Sequence, residues 1–382
     1  MLKKIIISIL ILVVLVGGLS FTPQFAQLKN FAKWGKHTIH DYKTHPTRLV
    51  SSGGAPQYWP LDSNYNKGVI SDSILAIMDS NDTHAFIVIQ NGKLIYEKYW
   101  DGYTPKTLSG SFSAAKSIIS LLIGIALDEG KIKSLDEPAG NYVPHFKEAG
   151  LDKVRIKDLL TMSSGTTYKE SDKSYFSMNA YGYYGDDEEF MVNKMAFKET
   201  AGVHWEYRSG DTQVLGLIVE KAFGQTISEL VSERFMKPMG AEADALWLLD
   251  GNKKHEKAFC CFNGVAHDYA RFGQLVLDNG KWGSRQIVSE NYIKAATTPA
   301  SYLKDPTENG NPVDYYGYQY WMFNEQGHAI VAQNGLFGQY VYIIRDKNAV
   351  VVRLGESKVV KPQHHHQPEI FTYAAAALSV LK

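Results

Sequence analysis

The sequence predicts an α+β fold: one mostly antiparallel sheet formed from both chain ends and flanked by helices, with an inserted, mainly helical region. Three observations carry this reading. Strand-like segments lie early, between Ala85 and Tyr96, and late, between Tyr318 and Leu354. The stretch between them is helical in period and holds a helix, Ser113 to Asp128, with almost no polar face. Helical character then returns once more, from Glu369 to Leu381, after the last strand.

Taken in order, the chain opens with Lys3 and Lys4 followed by an apolar run from Ile5 to Phe21. A basic n-region before an h-region reads as a secretory signal, with Gly18-Leu19-Ser20 offering a small-x-small cleavage site. The run is about 17 residues, the lower edge of what spans a bilayer, so an uncleaved signal anchor through residues 5–21 is the rival reading. Lys29, Lys33 and Lys36 on its far side weigh against the anchor, because basic residues prefer the cytoplasmic side. Residues 1–27 are therefore read as a signal peptide or signal anchor. The body of the protein is expected to be exported, to the bacterial periplasm or the outer face of the cytoplasmic membrane.

Residues 28–70 show no clean period and read as a connector. Residues 71–382 form the main domain, with a helical subregion over about 110–290. Ala85–Ile89 and Leu94–Tyr96 flank Asn91-Gly92, a strong signal for a two-stranded hairpin. The Ser113–Asp128 helix stops at Glu129-Gly130. Further helices are expected over Val154–Met162, Thr212–Phe223, Ile227–Met236 and Asp268–Leu277. Short strands are expected at Tyr318–Phe323, Ala329–Ala332, Tyr340–Ile344 and Ala349–Leu354.

Composition narrows the function. The 382 residues are 45% hydrophobic and 21% charged, which excludes wholesale disorder. The 40 basic residues balance 40 acidic ones, leaving no global electrostatic footprint for nucleic acid. With two cysteines there is no disulfide framework. Cys260 and Cys261 are neighbours, which rarely reach a relaxed bridge, so two partly buried thiols are expected. The run Gln363-His364-His365-His366 is either a metal-binding tract or, more simply, a solvated loop.

The chemistry-bearing pattern is Ser113-Ala114-Ala115-Lys116 at the head of the buried helix. The i,i+3 spacing puts both side chains on one helical face. A serine at a helix N-terminus sits among free backbone N–H groups that favour a developing oxyanion. A lysine one turn into an apolar helix loses hydration, which lowers its pKa and makes the neutral amine available as a base for a serine nucleophile. The spacing alone is weak, since Ser301-Tyr302-Leu303-Lys304 repeats it in a polar stretch. The bland alternative for Ser113 is a capping serine beside a snorkelling lysine.

Several further segments fall in series with this one. Ser111 to Ser117 resembles the nucleophile motif of the serine β-lactamase-like, penicillin-recognising hydrolases, especially their class C-like esterase and amidase branch. Asp158-Leu159-Leu160-Thr161-Met162-Ser163-Ser164-Gly165 resembles that branch's DLLTMTSG segment. Tyr207-Arg208-Ser209 resembles its Y-x-N or Y-x-S motif. Lys237 to Gly240 and Tyr269 to Gly273 resemble PLGM and LARFG. Gly335-Leu336-Phe337-Gly338-Gln339-Tyr340 resembles the GxxGQ turn into a core strand. The likeness runs from about Ala85 to Leu354 and is similar to 6-aminohexanoate-oligomer hydrolases and related esterases. It implies a β-lactamase/transpeptidase-like fold.

By resemblance, Tyr207 works with Lys116 to shuttle protons, Ser209 supports them, and the backbone N–H groups of Ser113 and Leu336, just after Gly335, form the oxyanion hole. Gln339 belongs to the same supporting turn. A phenol with an ordinary pKa near ten acts this way only if a neighbouring cation lowers it, a part Lys116 can take. Tyr175-Phe176-Ser177 is a rival Y-x-S, but no helix follows it. The family's Lys-Thr-Gly near the last strands is replaced by Gln333-Asn334-Gly335, so the cation that grips a β-lactam carboxylate is missing.

The resulting expectation is an exported serine hydrolase cleaving a small-molecule amide or ester through an acyl-enzyme on Ser113, with no metal or organic cofactor. The alternatives are a D,D-peptidase or weak β-lactamase acting on cell-wall-type peptides, and a non-catalytic, membrane-tethered binding or sensor domain. Tyr181 to Glu189, rich in aromatics and acids, reads either as a cleft wall that greets a cationic substrate end or as a solvated acidic loop. Tyr315, Tyr316, Tyr318 and Tyr320 read as strand or cleft residues.

Overall fold

A computed structural model describes residues 18, 22 and 25–382 except 149, 172, 173, 361 and 363. The apolar run over residues 5–21, read as signal or anchor, lies outside the described residues but for residue 18. Among the described residues no helix is long and apolar enough to cross a membrane.

Ten strands in two sheets and six helices position the site. The strands are β1 (Thr47–Val50), β2 (Thr83–Gln90), β3 (Lys93–Tyr99), β4 (Ser109–Gly110), β5 (Ala245–Leu248), β6 (Phe262–Gly264), β7 (Trp321–Glu325), β8 (His328–Gly335), β9 (Gln339–Ile344) and β10 (Ala349–Gly355). The helices are α1 (Ala26–Trp34), α2 (Ala115–Asp128), α3 (Met178–Tyr184), α4 (Ser209–Phe223), α5 (Ala266–Leu277) and α6 (Glu369–Val380).

The large sheet has the order β7-β8-β9-β10-β2-β3, antiparallel throughout, so both chain ends do build one sheet. The expected hairpin is present: Asn91 and Gly92 both take positive φ, as a tight two-residue turn requires. Both faces of the sheet are covered, which is why β2 and β10 are buried along their whole length. On one face α5 crosses β9 and β10 so closely that a Cβ on Gly273 would lie 2.5 Å from Val350 Cγ1. On the other lies α6, whose Tyr373 hydroxyl meets Thr83 Oγ1 at 2.7 Å. The helical insert is built around α2, buried on all sides from Ala115 to Ala126, as its lack of a polar face requires.

The second sheet, β1-β5-β6-β4, was not legible in the sequence. It also corrects the reading of residues 28–70 as a connector. That stretch supplies strand β1, which pairs with β5 from Thr47↔Leu248 to Val50↔Ala245. Helix α1 just before it docks on α3, with Asn30 Nδ2 donating to Tyr184 O at 2.8 Å.

Candidate active site

Ser113 sits in a single 3₁₀ turn, Phe112–Ala114, that runs directly into α2. Strand β4 delivers the chain to this turn, and Ser111 N donates to Phe262 O of β6 at 2.7 Å. Phe112, the residue before the nucleophile candidate, is held at φ 44°, a conformation costly for a bulky side chain and found where the surrounding structure over-determines the backbone. The turn presents Ser113 half-exposed at the floor of a cleft of about 1050 Å³.

Lys116 is 1% exposed. Its Nζ lies 3.0 Å from Ser113 Oγ, 3.1 Å from Ser209 Oγ and 2.6 Å from the Phe259 carbonyl oxygen. Burial pulls its pKa down to about 8, against the opposing charge of Glu170. About a fifth of this lysine is therefore neutral near physiological pH, and about half of it at pH 8.

Tyr207 is half-buried beside the Trp321 ring, at 5.5 Å between centroids, with the Ser113 side chain acting on its phenol. The Asp158–Gly165 segment explains its placement: Glu206 N donates to Met162 O at 2.9 Å, and Ser164 Oγ donates to Asp211 Oδ1 on α4 at 2.6 Å. The expectation that Lys116 lowers the phenol's pKa is corrected. Burial pushes Tyr207 up, the charge of Glu170 adds to that, and only the Ser113 hydrogen bond opposes them. Tyr207 is thus a neutral phenol, fitted to donate a proton or pass one on, and not a resting tyrosinate.

The end of β8 closes the site from the other side. A Cβ on Gly335 would lie 2.2 Å from Ser111 O and 3.2 Å from Ala114 N, so only glycine lets this strand approach the nucleophile turn. Leu336 and Phe337 follow it on the cleft wall. Gln339 pins that turn: its Nε2 donates to Gly355 O at 2.5 Å and to Leu336 O at 3.2 Å. The buried Arg353 adds Nη1 contacts to Phe337 O and Gly338 O at 2.6 and 2.9 Å, a support that the sequence did not flag. Gln333 is buried and does not line the cleft, whereas Asn334 does.

The structure therefore brings Ser113, Lys116, Tyr207, Ser209, Gly335, Leu336 and Gln339 around one point. It also brings in Glu170, which sequence reasoning missed. Ser209 N and Oγ both donate to its carboxylate, each at 2.8 Å. No spacing links a loop glutamate to a serine 39 positions later, and no motif marks it.

The other candidates fall elsewhere. Ser177 of the rival Y-x-S caps α3, accepting from Ala180 N at 3.0 Å, while Tyr175 sits at the cleft rim. Neither Ser301 nor Lys304 lines the cleft. The Tyr181–Glu189 stretch is neither a solvated loop nor an acidic greeting for substrate. Tyr183 and Tyr184 line the cleft, but Asp186 pairs with Lys29 at 2.7 Å, and Glu188 is buried 3.7 Å from Lys257. Two of the three histidines of the run are built in as well, while His364 is exposed. His365 pairs with Asp305 at 2.6 Å, and His366 is buried. Among the described residues no group of three or more His, Cys, Asp or Glu side chains is placed to hold a metal.

Cys260 and Cys261 are bonded to each other, which corrects the expectation of two thiols. The backbone at the bridge is unusual: Cys261 takes φ 81°. Cys260 follows directly on Phe259, whose carbonyl holds Lys116, and it lines the cleft.

A model of the beta-lactamase family matches residues 78–369, most of the chain. The chain belongs to the beta-lactamase family. Among curated relatives it is 26% identical over 310 residues to a 6-aminohexanoate-dimer hydrolase of Paenarthrobacter ureafaciens, covering 76% of each chain. Among solved structures it resembles a candidate 6-aminohexanoate-dimer hydrolase from Bacillus anthracis, with a TM-score of 0.75 and 23% identity over 93% of both chains. It also resembles a family VIII carboxylesterase, with a TM-score of 0.65 and 16% identity over 84% of this chain and 99% of the other. The β-lactamase/transpeptidase-like fold is thus established, and the protein is a serine hydrolase of the amide- and ester-cleaving kind.

Proposed function

We propose that the protein cleaves a small-molecule amide or ester through an acyl-enzyme on Ser113. The observation that carries this reading is the 3.0 Å contact between Ser113 Oγ and a buried Lys116 that is substantially neutral near pH 8. Ser113 Oγ attacks the carbonyl carbon as its proton passes to Lys116 Nζ. The backbone N–H groups of Ser113 and Leu336 receive the oxyanion, in a turn that Gly335 and Gln339 hold against the nucleophile. Tyr207, a neutral phenol beside Ser113, gives its proton to the departing amine or alkoxide and is reprotonated by Lys116. Water then attacks the acyl ester, with the same groups running in reverse.

The substrate is read as one that needs no cation to grip a β-lactam-type carboxylate, because Gln333 replaces the family's lysine. The cleft walls are rich in aromatic side chains, among them Phe112, Tyr183, Trp205 and Phe337, which suits an extended, partly apolar substrate. The activity named for the Paenarthrobacter relative makes linear amides a natural first panel beside simple esters. Export to the periplasm or the outer face of the cytoplasmic membrane, with a tether through residues 5–21 if the segment is not cleaved, rests on the basic and apolar amino-terminal pattern.

The test is hydrolysis of an ester panel and a linear-amide panel by the wild type and by Ser113→Ala. Turnover by the wild type that Ser113→Ala lacks supports the reading. Equal turnover by both, or turnover by neither with both folded, contradicts it.

A further inference from the structure

We infer that Glu170 is a positioning residue that, acting through Ser209, aims the lone pair of neutral Lys116 at Ser113. This rests on the proposed acyl-enzyme chemistry and adds to it the device that orients the base.

The donors and acceptors around the Lys116 amine allow a single arrangement. A neutral lysine amine has two N–H donors and one lone pair. Lys116 Nζ has three polar neighbours at hydrogen-bond distance: Phe259 O at 2.6 Å, Ser209 Oγ at 3.1 Å and Ser113 Oγ at 3.0 Å. The Phe259 carbonyl only accepts, so it takes one N–H. A serine hydroxyl can do either, so Ser209 alone would leave the amine's orientation undecided. Glu170 decides it. An ionised carboxylate only accepts, and its Oε1 stands 2.8 Å from Ser209 Oγ. The single Ser209 proton is committed there, which leaves Ser209 Oγ an acceptor toward Lys116. The second N–H goes to Ser209, and the lone pair has one place left, the Ser113 hydroxyl.

Glu170 Oε2 also accepts the Ser209 backbone N–H at 2.8 Å, which fixes the carboxylate at the first turn of α4. The arrangement serves the product of the transfer too. When the Oγ–carbonyl bond forms, the Ser113 proton becomes the third N–H of an ammonium. Those three N–H groups face the same three oxygens, so the charge forms without reorganising its partners. Without the carboxylate, Ser209 is free to turn its proton onto the Lys116 lone pair and occupy the base. The negative charge of Glu170 also sustains the proton affinity of Lys116, so the residue acts on orientation and on titration together.

The experiment compares wild type, Glu170→Gln, Glu170→Asp, Ser209→Ala and the Glu170→Gln/Ser209→Ala double variant. The readouts are the second-order rate of fluorophosphonate labelling of Ser113 and the pH profile of ester hydrolysis, with melting temperature as the check on folding. Glu170→Gln is expected to slow labelling about a hundredfold and to move the acid limb of the profile to lower pH, since the anion that supports protonated Lys116 is gone. Glu170→Asp is expected to recover most of the rate. The double variant is expected to be no slower than Ser209→Ala alone, because both act through one hydrogen bond.

Three results each overturn the inference: a Glu170→Gln rate within about twofold of wild type, an unmoved acid limb, or losses that multiply in the double variant. If Glu170→Gln does not fold, Ser209→Ala against wild type and Glu170→Asp carries the same test. Ser113→Ala keeps the two claims apart. If it hydrolyses ester like the wild type, the acyl-enzyme reading has failed. If it is inactive while Glu170→Gln is fully active, only the role of Glu170 has failed.

Discussion

Lys116 and Ser113 stand one helical turn apart with Nζ 3.0 Å from Oγ, and the lysine is the buried member of the pair. On the proposed mechanism that contact sets the pH dependence of the enzyme. Burial holds the Lys116 pKa down to about 8 against the charge of Glu170. Only the neutral amine accepts the serine proton. Ester hydrolysis, as kcat/KM, is therefore expected to rise with pH, to be half-maximal near about 8 and to level off above it.

Lys116→Arg tests the same point with the charge retained. A guanidinium stays protonated across the working range, so it cannot serve as the base. A loss of at least about a thousandfold in kcat/KM is expected, with the melting temperature as the check that the fold survives.

Gly335 is a close approach between the sheet and the turn that carries Ser113. A methyl group there meets the Ser111 carbonyl at 2.2 Å, so strand or turn must shift. Gly335→Ala is expected to lower ester hydrolysis by about a hundredfold or more by displacing the Leu336 N–H from the oxyanion position. The cost in stability is about 1–3 kcal/mol, read from denaturant unfolding.

The parts of this fold that were legible in the sequence are those written in local pattern. The Asn91-Gly92 hairpin needs only positive φ at two adjacent residues, and α2 announces its burial by having no polar face. Ser113, Lys116 and the Tyr207-Arg208-Ser209 motif were legible by spacing and by resemblance. Glu170 was not, because its partner lies 39 positions away and the contact exists only once α4 packs beside the loop. The second sheet was hidden for a similar reason: β1 and β5 are four-residue strands separated by nearly two hundred positions. The Tyr207 pKa was misjudged because a nearby cation was weighed and burial was not. The cysteine pair was misread because adjacency alone does not reveal the positive φ that Cys261 adopts.

Outside the cleft lining, His267 ties α5 to β3 through Glu97 at 3.1 Å and to Glu242, just before β5, at 2.9 Å. Burial disfavours its charge, but the two carboxylates outweigh it and push the pKa up to about 9. Raised above its unfolded value, this group stabilises the fold fully below about pH 6.5 and loses that contribution as pH rises through about 9. His267→Gln should therefore lower the melting temperature most at mildly acidic pH, and the difference from wild type should shrink above pH 9. The low-pH effect is on the order of 3 kcal/mol.

The resemblance puts Gln333 in place of a lysine, which bears on inhibition. With no ammonium at that position to draw a β-lactam carboxylate, penicillin is expected to leave no persistent covalent mass on the protein under conditions where a neutral ester turns over. Intact-mass spectra after prolonged incubation check this. A stable penicillin adduct would move the cell-wall-peptide reading to first place.

Trapping the acyl-enzyme tests the role of Ser113 most directly. The protein is mixed with a slowly deacylating ester, quenched in acid and digested, and the modified peptide is sequenced by mass spectrometry beside Ser113→Ala. One acyl group per chain is expected, on Ser113, formed faster as pH rises toward and past 8 and absent from the mutant. An adduct that survives in Ser113→Ala, or one on another residue, would contradict that role.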